Sequence, residues 1–356
     1  MHSKPTQPTS PRGRGAAANT AQRFAQMHVD YDEGGAPAKV GTQFYVDHSS
    51  SIITKNDSPD LSFEGSINPY RGCEHGCAYC YARPTHEYLG FSAGLDFESR
   101  IMVKPEAPRL LREALLKPSY QPLKLSMSGV TDCYQPVEKK LRITRACLEV
   151  LAEFRHPVVI ITKNHLITRD IDLLAELAQH RAVGVYLSVT SLDPKLGHVL
   201  EPRASSPQQR LEAIRKLHEA GVPVGVSAAP VIPALNDHEI PAILDAACQA
   251  GASFASYTMV RLPFSVKDVF ATWLAEHFPE RKEKILGRIR ESQGETLSHG
   301  DFGKRLRGVG VWSAQIEQIF RISLLRSGIA GQRKPEVTAQ AFRRPVVPSA
   351  QLELGL

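Results

Sequence analysis

Three cysteines within eight residues form a compact group of metal-ligand side chains. They are Cys73, Cys77 and Cys80, in the order C-x3-C-x2-C, inside the stretch "RGCEHGCAYCYARPTHEYLG". Thiolates bind soft metals and iron–sulfur clusters. A C-x2-C pair directs two sulfurs to one centre, and the cysteine four residues earlier adds a third ligand from the same loop. The spacing therefore predicts a metal or iron–sulfur site held by these three side chains.

The number of ligands bears on what this site does. A four-iron four-sulfur cluster normally takes four cysteines, so three would leave one iron with an open coordination position where chemistry can occur. The spacing favours that open cluster, but two alternatives remain. Cys133 would complete a closed cluster for electron transfer or structure. His75 or His86 would complete a Cys3His zinc site, as in a zinc-binding nucleic-acid module.

The composition indicates an ordinary globular protein. The chain has 356 residues, 42% of them hydrophobic and 22% charged. No run approaches the ~18 apolar residues of a membrane span, so we expect no membrane association. The N-terminus lacks the apolar core of a signal peptide, and six cysteines in so long a chain do not make a disulfide framework. We therefore expect a cytoplasmic protein.

The positive charge is concentrated at the two ends of the chain. The net charge is +6, but residues 1–24 carry +4 and residues 321–356 carry another +4, which leaves −2 for the residues between them. These ends are polar and contain Pro and Gly, so we expect flexible termini. They would act either as solvated tails or as arms that attract a phosphate backbone.

Short apolar runs alternate with helical patterns from about residue 60. The strand-like runs are 61–67, 123–129, 158–164, 182–191, 222–232 and 255–263, and the helical stretches are 106–117, 137–155, 170–180, 207–220 and 237–250. In the second helical stretch, Leu141, Leu148, Leu151 and Phe154 share one face. This alternation is typical of an α/β protein with a parallel sheet.

The cysteines follow the first of these strands. No Gly-x-Gly-x-x-Gly sequence follows it, which disfavours a doubly wound dinucleotide fold. We therefore predict a partial (βα)6 TIM-like barrel with the cysteine loop at the face where strands end. The expected organisation is an N-terminal extension, partly disordered, at 1–55, the barrel at 56–265, a C-terminal helical extension at 266–330 and a flexible tail at 331–356.

The cysteine motif resembles that of a known superfamily. "CEHGCAYC" is similar to the C-x3-C-x-aromatic-C signature of the radical S-adenosylmethionine (SAM) superfamily, with Tyr79 at the aromatic position. The segments "SMSGVTDCYQPVEKK" and "LEPRASSPQQRLEAIRKLHEAGVPVGVSAAPVIPALND" resemble its spore-photoproduct-lyase-like, or photolyase-like, subgroup. "INPYRGC" and "DFGKRLRG" resemble one bacterial branch of unassigned function. The resemblance covers residues 61–265.

The resemblance implies a chemistry and a set of cofactors. SAM binds the open iron of a 4Fe-4S cluster held by Cys73, Cys77 and Cys80. An external electron donor such as flavodoxin or ferredoxin reduces the cluster. SAM is then cleaved to a 5′-deoxyadenosyl radical, which abstracts hydrogen from a substrate. The substrate is left open among nucleic acid, protein and small molecules, with DNA or RNA placed first.

The resemblance also implies SAM contacts at the strand ends. Tyr79 would meet the adenine, and Ser128 and Gly129 would allow close approach to the SAM amino group. Asp132 would accept from that group, unless it caps the helix predicted near Val137. The hydroxyls of Ser188 and Thr190 would bind the ribose or carboxylate.

Four further residues have candidate roles or predicted environments. Glu201 suits the ribose hydroxyls and Arg203 the SAM carboxylate, with an ordinary ion pair as the alternative for each. Cys133 is a candidate hydrogen donor. Spore photoproduct lyases carry such a cysteine three positions before the matching aspartate, where this chain has Gly129. Cys147 and Cys248 fall on helical faces and are predicted to be small buried hydrophobes.

Overall fold

Parallel strands form the central sheet. The computed structural model describes residues 10–24, 40–127, 129–298, 300–331 and 336–345. The strands of this part of the chain are β1 (Gln43–Val46), β2 (Ile53–Lys55), β3 (Gly65–Ile67), β4 (Tyr70–Arg71), β5 (Arg100–Val103), β6 (Leu125–Met127), β7 (Val158–Thr162), β8 (Val183–Ser188), β9 (Val224–Val231) and β10 (Ala255–Met259). Seven of them pair in the order β10-β9-β8-β7-β6-β3-β2. All of these pairings are parallel except that of β2 with β3.

Helices alternate with these strands. The α-helices of the described residues are α1 (Leu95–Ser99), α2 (Ala107–Leu116), α3 (Glu138–Leu141), α4 (Ile143–Glu153), α5 (Ile171–Gln179), α6 (Pro194–Leu200), α7 (Pro207–Glu219), α8 (Ile240–Gln249), α9 (Val266–His277), α10 (Lys282–Ser292) and α11 (Gly310–Arg326). The predicted fold class, a partial barrel of six βα units, is confirmed by this order together with the parallel sheet.

The predicted helix at 137–155 is interrupted. Arg142 has a φ of 56°, which ends α3 and separates it from α4. Leu141, predicted to share an apolar face with Leu148 and Leu151, is therefore exposed, while those two leucines are buried. Burying a leucine contributes about 2 kcal/mol, so the leucines of α4 anchor it to the sheet without Leu141.

The main core lies between the sheet and its helices. Strands β6 and β8 bury nearly every residue, as expected where both faces are covered. Cys147 of α4 belongs to this core, as predicted. Cys248 of α8 is half-buried, because it lies at the edge of the helix face that packs inward.

A second, smaller sheet was not predicted. It has the order β1-β5-β4, with β1 parallel and β4 antiparallel to β5. Its strands have two to four residues, too short to give a clear alternating pattern. Since β4 ends two residues before Cys73, this sheet fixes the start of the cysteine loop.

A segment from the C-terminal part bridges the two edges of the barrel. We call residues 301–307 the closing segment. At one edge, the Met259 amide of β10 donates to the Leu306 carbonyl at 2.9 Å. At the other, the Gly303 amide donates to Asp60 Oδ1 at 2.6 Å, in the loop before β3. The closing segment therefore spans the gap between the first and last parallel strands.

The described parts of the basic ends, residues 10–24 and 336–345, contact the barrel, while residues 1–9 and 346–356, also expected to be flexible, lie outside the described residues. Arg14 is buried and donates to the Val40 carbonyl at 2.8 Å. Arg344 donates to the carbonyls of Leu115 in α2 and of Tyr120, at 3.3 and 2.7 Å. Composition does not reveal these contacts, because it counts an arginine that caps backbone carbonyls in the same way as a solvated arginine. No helix in the described ranges has the length and apolar character needed to cross a membrane.

Candidate active site

The cysteine loop begins just after β4, on the side of the sheet where the parallel strands end. Cys73 and Cys77 are buried, 7% and 8% exposed, and Cys80 is half-buried. The Gly76 amide donates to the Cys73 carbonyl at 3.4 Å, and the Cys80 amide to the Cys77 carbonyl at 3.2 Å. Gly76 has a φ of 67°, and a Cβ on it would come 2.5 Å from Glu98 Oε2. The loop is thus two successive turns that need glycine between the first two cysteines.

A buried ion pair holds the loop from beneath. Arg83 and Glu98 are both fully buried, with Arg83 Nη2 2.8 Å from Glu98 Oε1. Arg83 also donates to the Cys77 carbonyl from Nε at 3.1 Å and from Nη2 at 2.9 Å. A buried pair is stable only when its remaining donors and acceptors are satisfied. The carbonyls of Cys77, Ala93 and Gly94 satisfy those of Arg83.

The N-terminal extension completes this support. The amides of Gly15 and Ala16 donate to the Glu98 carboxylate at 3.0 and 2.9 Å. A Cβ on Gly15 would lie 1.7 Å from the Gly76 carbonyl oxygen, so the two backbones touch. Residues 10–24 therefore cover the cysteine loop, although they lie far from it in sequence.

The two histidines of the zinc alternative have other hydrogen-bond partners, although His75 also contacts the Cys73 side chain. His75 Nδ1 lies 3.4 Å from Asp132 Oδ2, and its Nε2 lies 3.2 Å from Asn164 Nδ2. His86 Nε2 lies 2.8 Å from the Arg100 carbonyl. Across the described residues, no three His, Cys, Asp or Glu side chains converge on one ion. A four-iron cluster does not require convergence, because each cysteine binds a different iron.

Cys133 lies in a different place from the three loop cysteines. It is fully buried in the main core, with Tyr70 and Tyr134, and its carbonyl accepts from the Thr144 hydroxyl at 2.6 Å. The loop cysteines pack in two other apolar clusters. This position favours neither a fourth cluster ligand nor the predicted role as hydrogen donor, since a donor must reach the substrate.

Asp132 links the loop after β6 to the end of β7 and to the cysteine loop. Its Oδ1 accepts from the Tyr134 amide at 2.9 Å and the Thr162 hydroxyl at 2.7 Å, and its Oδ2 accepts from the Lys163 amide at 2.8 Å. Burial alone would raise the pKa of Asp132, but His75 and these donors hold it below its usual value. With His75, four contacts fill the capacity of a carboxylate, so the helix cap predicted near Val137 is not formed.

Gly129, predicted to allow close approach of the SAM amino group, lies just after β6. Its amide donates to Asn68 Oδ1 at 3.0 Å, and its carbonyl accepts from the Tyr81 hydroxyl at 2.6 Å. A Cβ there would be 3.3 Å from the Ser66 side chain, so the site is tight. Ser128, predicted with it, lies outside the described residues.

Glu201 is the centre of a buried polar group at the ends of β8 and β9. Its Oε1 accepts from the Tyr79 hydroxyl and lies 2.6 Å from the Thr190 hydroxyl, and its Oε2 pairs with Arg210. Burial would raise the pKa of Glu201, but Arg210, Lys163 and the hydroxyls lower it to about 2. The structure thus brings together three predicted residues, Tyr79, Thr190 and Glu201, around a permanent negative charge.

Lys163 was missed in the sequence. It follows β7, its Nζ lies 3.8 Å from Glu201 Oε1 and 3.4 Å from the Ala229 carbonyl, and it sits 5.9 Å from the centre of the Tyr79 ring. A lysine directly after an apolar strand was the available signal, because side chains at strand ends line the mouth of such a barrel.

Arg203 is not part of this group. Its Nη2 lies 3.0 Å from Glu74 Oε1 and its Nη1 donates to Thr42 Oγ1 at 3.1 Å. This corresponds to the ion-pair alternative, so the predicted contact with a SAM carboxylate gains no support. Ser188 ends β8, and its carbonyl accepts from buried Arg210 at 3.0 Å. These two residues therefore support the loop and the strand end.

Comparisons with known proteins agree with this architecture. A family model described as the Radical SAM superfamily matches residues 67–247. An uncharacterized protein of Mycobacterium tuberculosis is 35% identical over 259 residues, which cover 72% of this chain and 75% of that protein. A protein of Pseudomonas phage M6 named radical SAM Nalpha-GlyT isomerase is 25% identical over 253 residues, covering 70% of this chain and 51% of that protein.

Among solved structures, the fold is similar to that of a spore photoproduct lyase mutant with bound AdoMet and dinucleoside spore photoproduct. The TM-score is 0.58 and the identity 17%, with 80% of this chain and 78% of that chain covered. At this identity the likeness concerns the fold. Taken with the family match, it places the cysteine loop within a known enzyme architecture. The chain is therefore an enzyme of the radical SAM superfamily, whose members use a four-iron four-sulfur cluster and S-adenosylmethionine.

Proposed function

We propose that Cys73, Cys77 and Cys80 hold a four-iron four-sulfur cluster with one open iron, and that the enzyme cleaves SAM to abstract hydrogen from a nucleic-acid substrate. The observation that carries the proposal is the loop itself. Its three cysteines lie at the strand ends, shaped by Gly76 and braced by Arg83, while Cys133 packs in a different cluster. Thiolates are the ligands that iron–sulfur clusters require, so the donor set fits.

When bound, the cluster and SAM supply the electron transfer and the 5′-deoxyadenosyl radical. The chain's own residues bind and orient SAM. Lys163 provides an ammonium suited to the SAM carboxylate. Glu201 is contacted by Tyr79, Thr190, Arg210 and Lys163, which fills the capacity of a carboxylate, so its proposed role is to hold Lys163 and Tyr79 in position beside SAM. Thr190 and Tyr79 hold that carboxylate in place.

The rival functions are less consistent with the arrangement. A closed cluster would need a fourth ligand, and Cys133 packs with Tyr70 and Tyr134 in the main core. A zinc site would need His75 or His86. His86 binds the Arg100 carbonyl, and His75, although it contacts Cys73, is paired with Asp132.

The proposed substrate is a nucleic acid, and the proposed partner is an electron donor. The names of the phage relative and of the lyase structure concern a GlyT isomerase and a dinucleoside lesion, which supports a DNA or RNA substrate here. The cluster needs an external one-electron donor, and flavodoxin or ferredoxin is the class we propose. A reducing cytoplasm would keep the six cysteines as thiols.

The decisive experiment is anaerobic reconstitution with iron and sulfide, followed by electron paramagnetic resonance of the reduced protein with and without SAM. We expect about four irons and four sulfides per chain and a signal that SAM changes, because SAM would bind the open iron. Zinc without sulfide would favour the binding module. A cluster whose spectrum stays the same at saturating SAM would favour the closed cluster and remove the proposal.

A further inference from the structure

Tyr81 forms a wall of the barrel mouth that the proposed cofactor roles do not use. It follows Cys80 directly, and its hydroxyl donates to the Gly129 carbonyl at 2.6 Å, after β6. The side chain therefore spans from the cysteine loop to a neighbouring strand end. It is 46% exposed, so one face of its ring is accessible from the mouth.

Arg261 lies over this ring. It follows β10, and its guanidinium carbon is 4.7 Å from the centre of the Tyr81 ring. The residue is half-buried, and within the described ranges no acceptor or carboxylate pairs with its guanidinium. Burial lowers the pKa of Arg261, and Arg305 lowers it further. A partly desolvated cation with five donors is thus held beside the cysteine loop without a counter-ion in contact.

The closing segment places a second cation, Arg305, near Arg261. Arg305 Nε lies 2.7 Å from Asp60 Oδ2, and Arg305 also donates to the Ser58 hydroxyl. Both arginines lower the pKa of Tyr81 electrostatically, although burial raises it, so both lie near its hydroxyl. Asp60 balances one of the two charges, and one positive charge is left over.

The geometry of a guanidinium limits what this charge can bind. Because Arg261 lies over the aromatic ring, its in-plane N–H groups stay available at the edge. Two such groups match two oxygens of a phosphate or carboxylate. The single excess charge matches a phosphodiester, which carries one negative charge, better than a phosphate monoester, which carries up to two.

We propose that Arg261, backed by Tyr81 and Arg305, binds a phosphodiester group of the substrate at the mouth of the barrel. The inference rests on the proposed function, and it adds the residue that recognises the substrate. Arg261 would place a nucleotide beside the cysteine loop, where the cofactors bind. It is a specificity-determining residue, because a substrate without the anion would leave the guanidinium unpaired.

The test measures binding of a short fluorescent single-stranded oligonucleotide to the reconstituted protein by anisotropy across a salt series. In Arg261→Gln we expect roughly tenfold weaker binding and a salt slope smaller by about one. Arg261→Lys keeps the charge without the two-pronged geometry, so binding should be intermediate while the salt slope is kept. The matched control is Arg288→Gln, because Arg288 also lies over an aromatic ring, Trp312, but is paired with Glu291.

The same preparations separate this inference from the proposed function. Iron content and the SAM-dependent spectrum report on the cluster and should be equal in wild type, Arg261→Gln and Arg288→Gln. If the cluster and its SAM response are normal but Arg261→Gln binds the oligonucleotide as wild type does, the inference is overturned and the radical SAM proposal stands. If wild type itself does not bind, the inference is equally overturned.

Competition identifies the source of the phosphate. A dinucleoside monophosphate should displace the labelled strand from wild type, and this displacement should weaken in Arg261→Gln. If only inorganic phosphate or a nucleoside monophosphate displaces the labelled strand, the site binds free phosphate or a phosphate monoester. That result would overturn the phosphodiester assignment. Equal displacement by acetate at matched ionic strength would overturn phosphate recognition altogether.

Discussion

At the scale of single residues, the three loop cysteines and the two helix cysteines have the same chemistry but different surroundings. Cys73, Cys77 and Cys80 lie at the strand ends, whereas Cys147 is enclosed in the main core and Cys248 lies half-buried on α8. Burial raises the pKa of Cys147 strongly, which keeps its thiol protonated and unreactive. Position rather than residue type therefore separates ligands from core residues.

Replacing any loop cysteine by Ala should abolish stable cluster assembly, because two thiolates from one loop hold the cluster poorly. Iron and sulfide content after anaerobic reconstitution measures this. Cys147→Ala and Cys248→Ala are the controls and should keep their iron. Loss of iron from either control would show that the ligand assignment is incomplete.

Glu201 joins the predicted SAM contacts to the core. The change Glu201→Gln removes the counter-ion of Arg210, which is itself buried. An uncompensated buried cation costs about 3 kcal/mol or more, so the free energy of unfolding should fall by that order. Denaturant unfolding of the cluster-free protein measures it. Glu212→Gln, which breaks a surface pair with Arg215, should leave stability nearly unchanged. Equal effects of both changes would mean that Glu201 is not the buried centre described above.

At the scale of elements, the N-terminal extension acts as part of the cysteine loop. Gly15 touches Gly76. Gly15 and Ala16 bind Glu98 from the extension, and Arg83 binds it from the side of the cysteine loop. This arrangement requires a residue without a side chain at position 15, whatever the rest of the extension does.

The change Gly15→Ala should displace the extension, because the new Cβ would lie 1.7 Å from a carbonyl oxygen. We expect faster loss of iron to a chelator, with little change in the far-ultraviolet circular dichroism. Gly41→Ala is the control, since a Cβ there meets nothing within 4 Å. An unchanged rate of iron loss in Gly15→Ala would mean that the extension does not support the loop.

The turn between α4 and β7 contains a buried neutral histidine. His156 Nδ1 donates to the Pro157 carbonyl at 3.1 Å, and its Nε2 accepts from the Tyr120 hydroxyl at 2.8 Å. Burial lowers the pKa of His156 from 6.5 to about 4, because a charged ring would lose its hydration.

Stability should therefore fall as the pH drops from about 6.5 towards 4, where the unfolded chain binds a proton that the folded chain does not. The total loss of unfolding free energy from this histidine is about 3 kcal/mol. The difference in unfolding free energy between wild type and His156→Gln, followed over this range, isolates the contribution. His238→Gln, at an exposed position, should keep the wild-type slope. A slope unaffected by His156→Gln would contradict the assignment.

At the scale of the whole molecule, segments distant in sequence hold the barrel at three places. Residues 10–24 cover the cysteine loop, the closing segment 301–307 joins the two edges of the sheet, and residues 336–345 bind the ends of α2 and α4. Each of them uses backbone groups or arginines, and Ala16 and Phe342 add apolar contacts. None of the three lies within residues 67–247, the part matched by the superfamily.

The change Asp60→Ala should loosen the closing segment, because it removes the acceptor of the Gly303 amide and the partner of Arg305. We expect faster hydrogen exchange of the amides at 301–307 with iron content unchanged, as local opening requires. Asp57→Ala, three residues away and exposed, is the control. Unaltered protection in Asp60→Ala would show that other contacts hold the segment.

The sequence by itself determined the repeating units and the ligand loop. Near-continuous apolar strands such as β8 and helices with one apolar face are local patterns, and the C-x3-C-x2-C spacing is local as well. Tyr79, Thr190 and Glu201 were found because each lies in a motif or at a strand end. Local patterns carry such features because burial and turn geometry act within a few residues.

Only the tertiary structure decided which side chains meet. Asp132 binds the end of β7, Arg203 turns to Glu74 instead of the cofactor group, Lys163 joins Glu201, and the basic ends cap helices and brace the cysteine loop. Charge and hydrogen-bonding capacity are the same for a solvated arginine and a buried one, so composition does not distinguish them. The distinction arises when the chain folds, because desolvation makes each buried polar group bind whichever partner the fold has brought within reach.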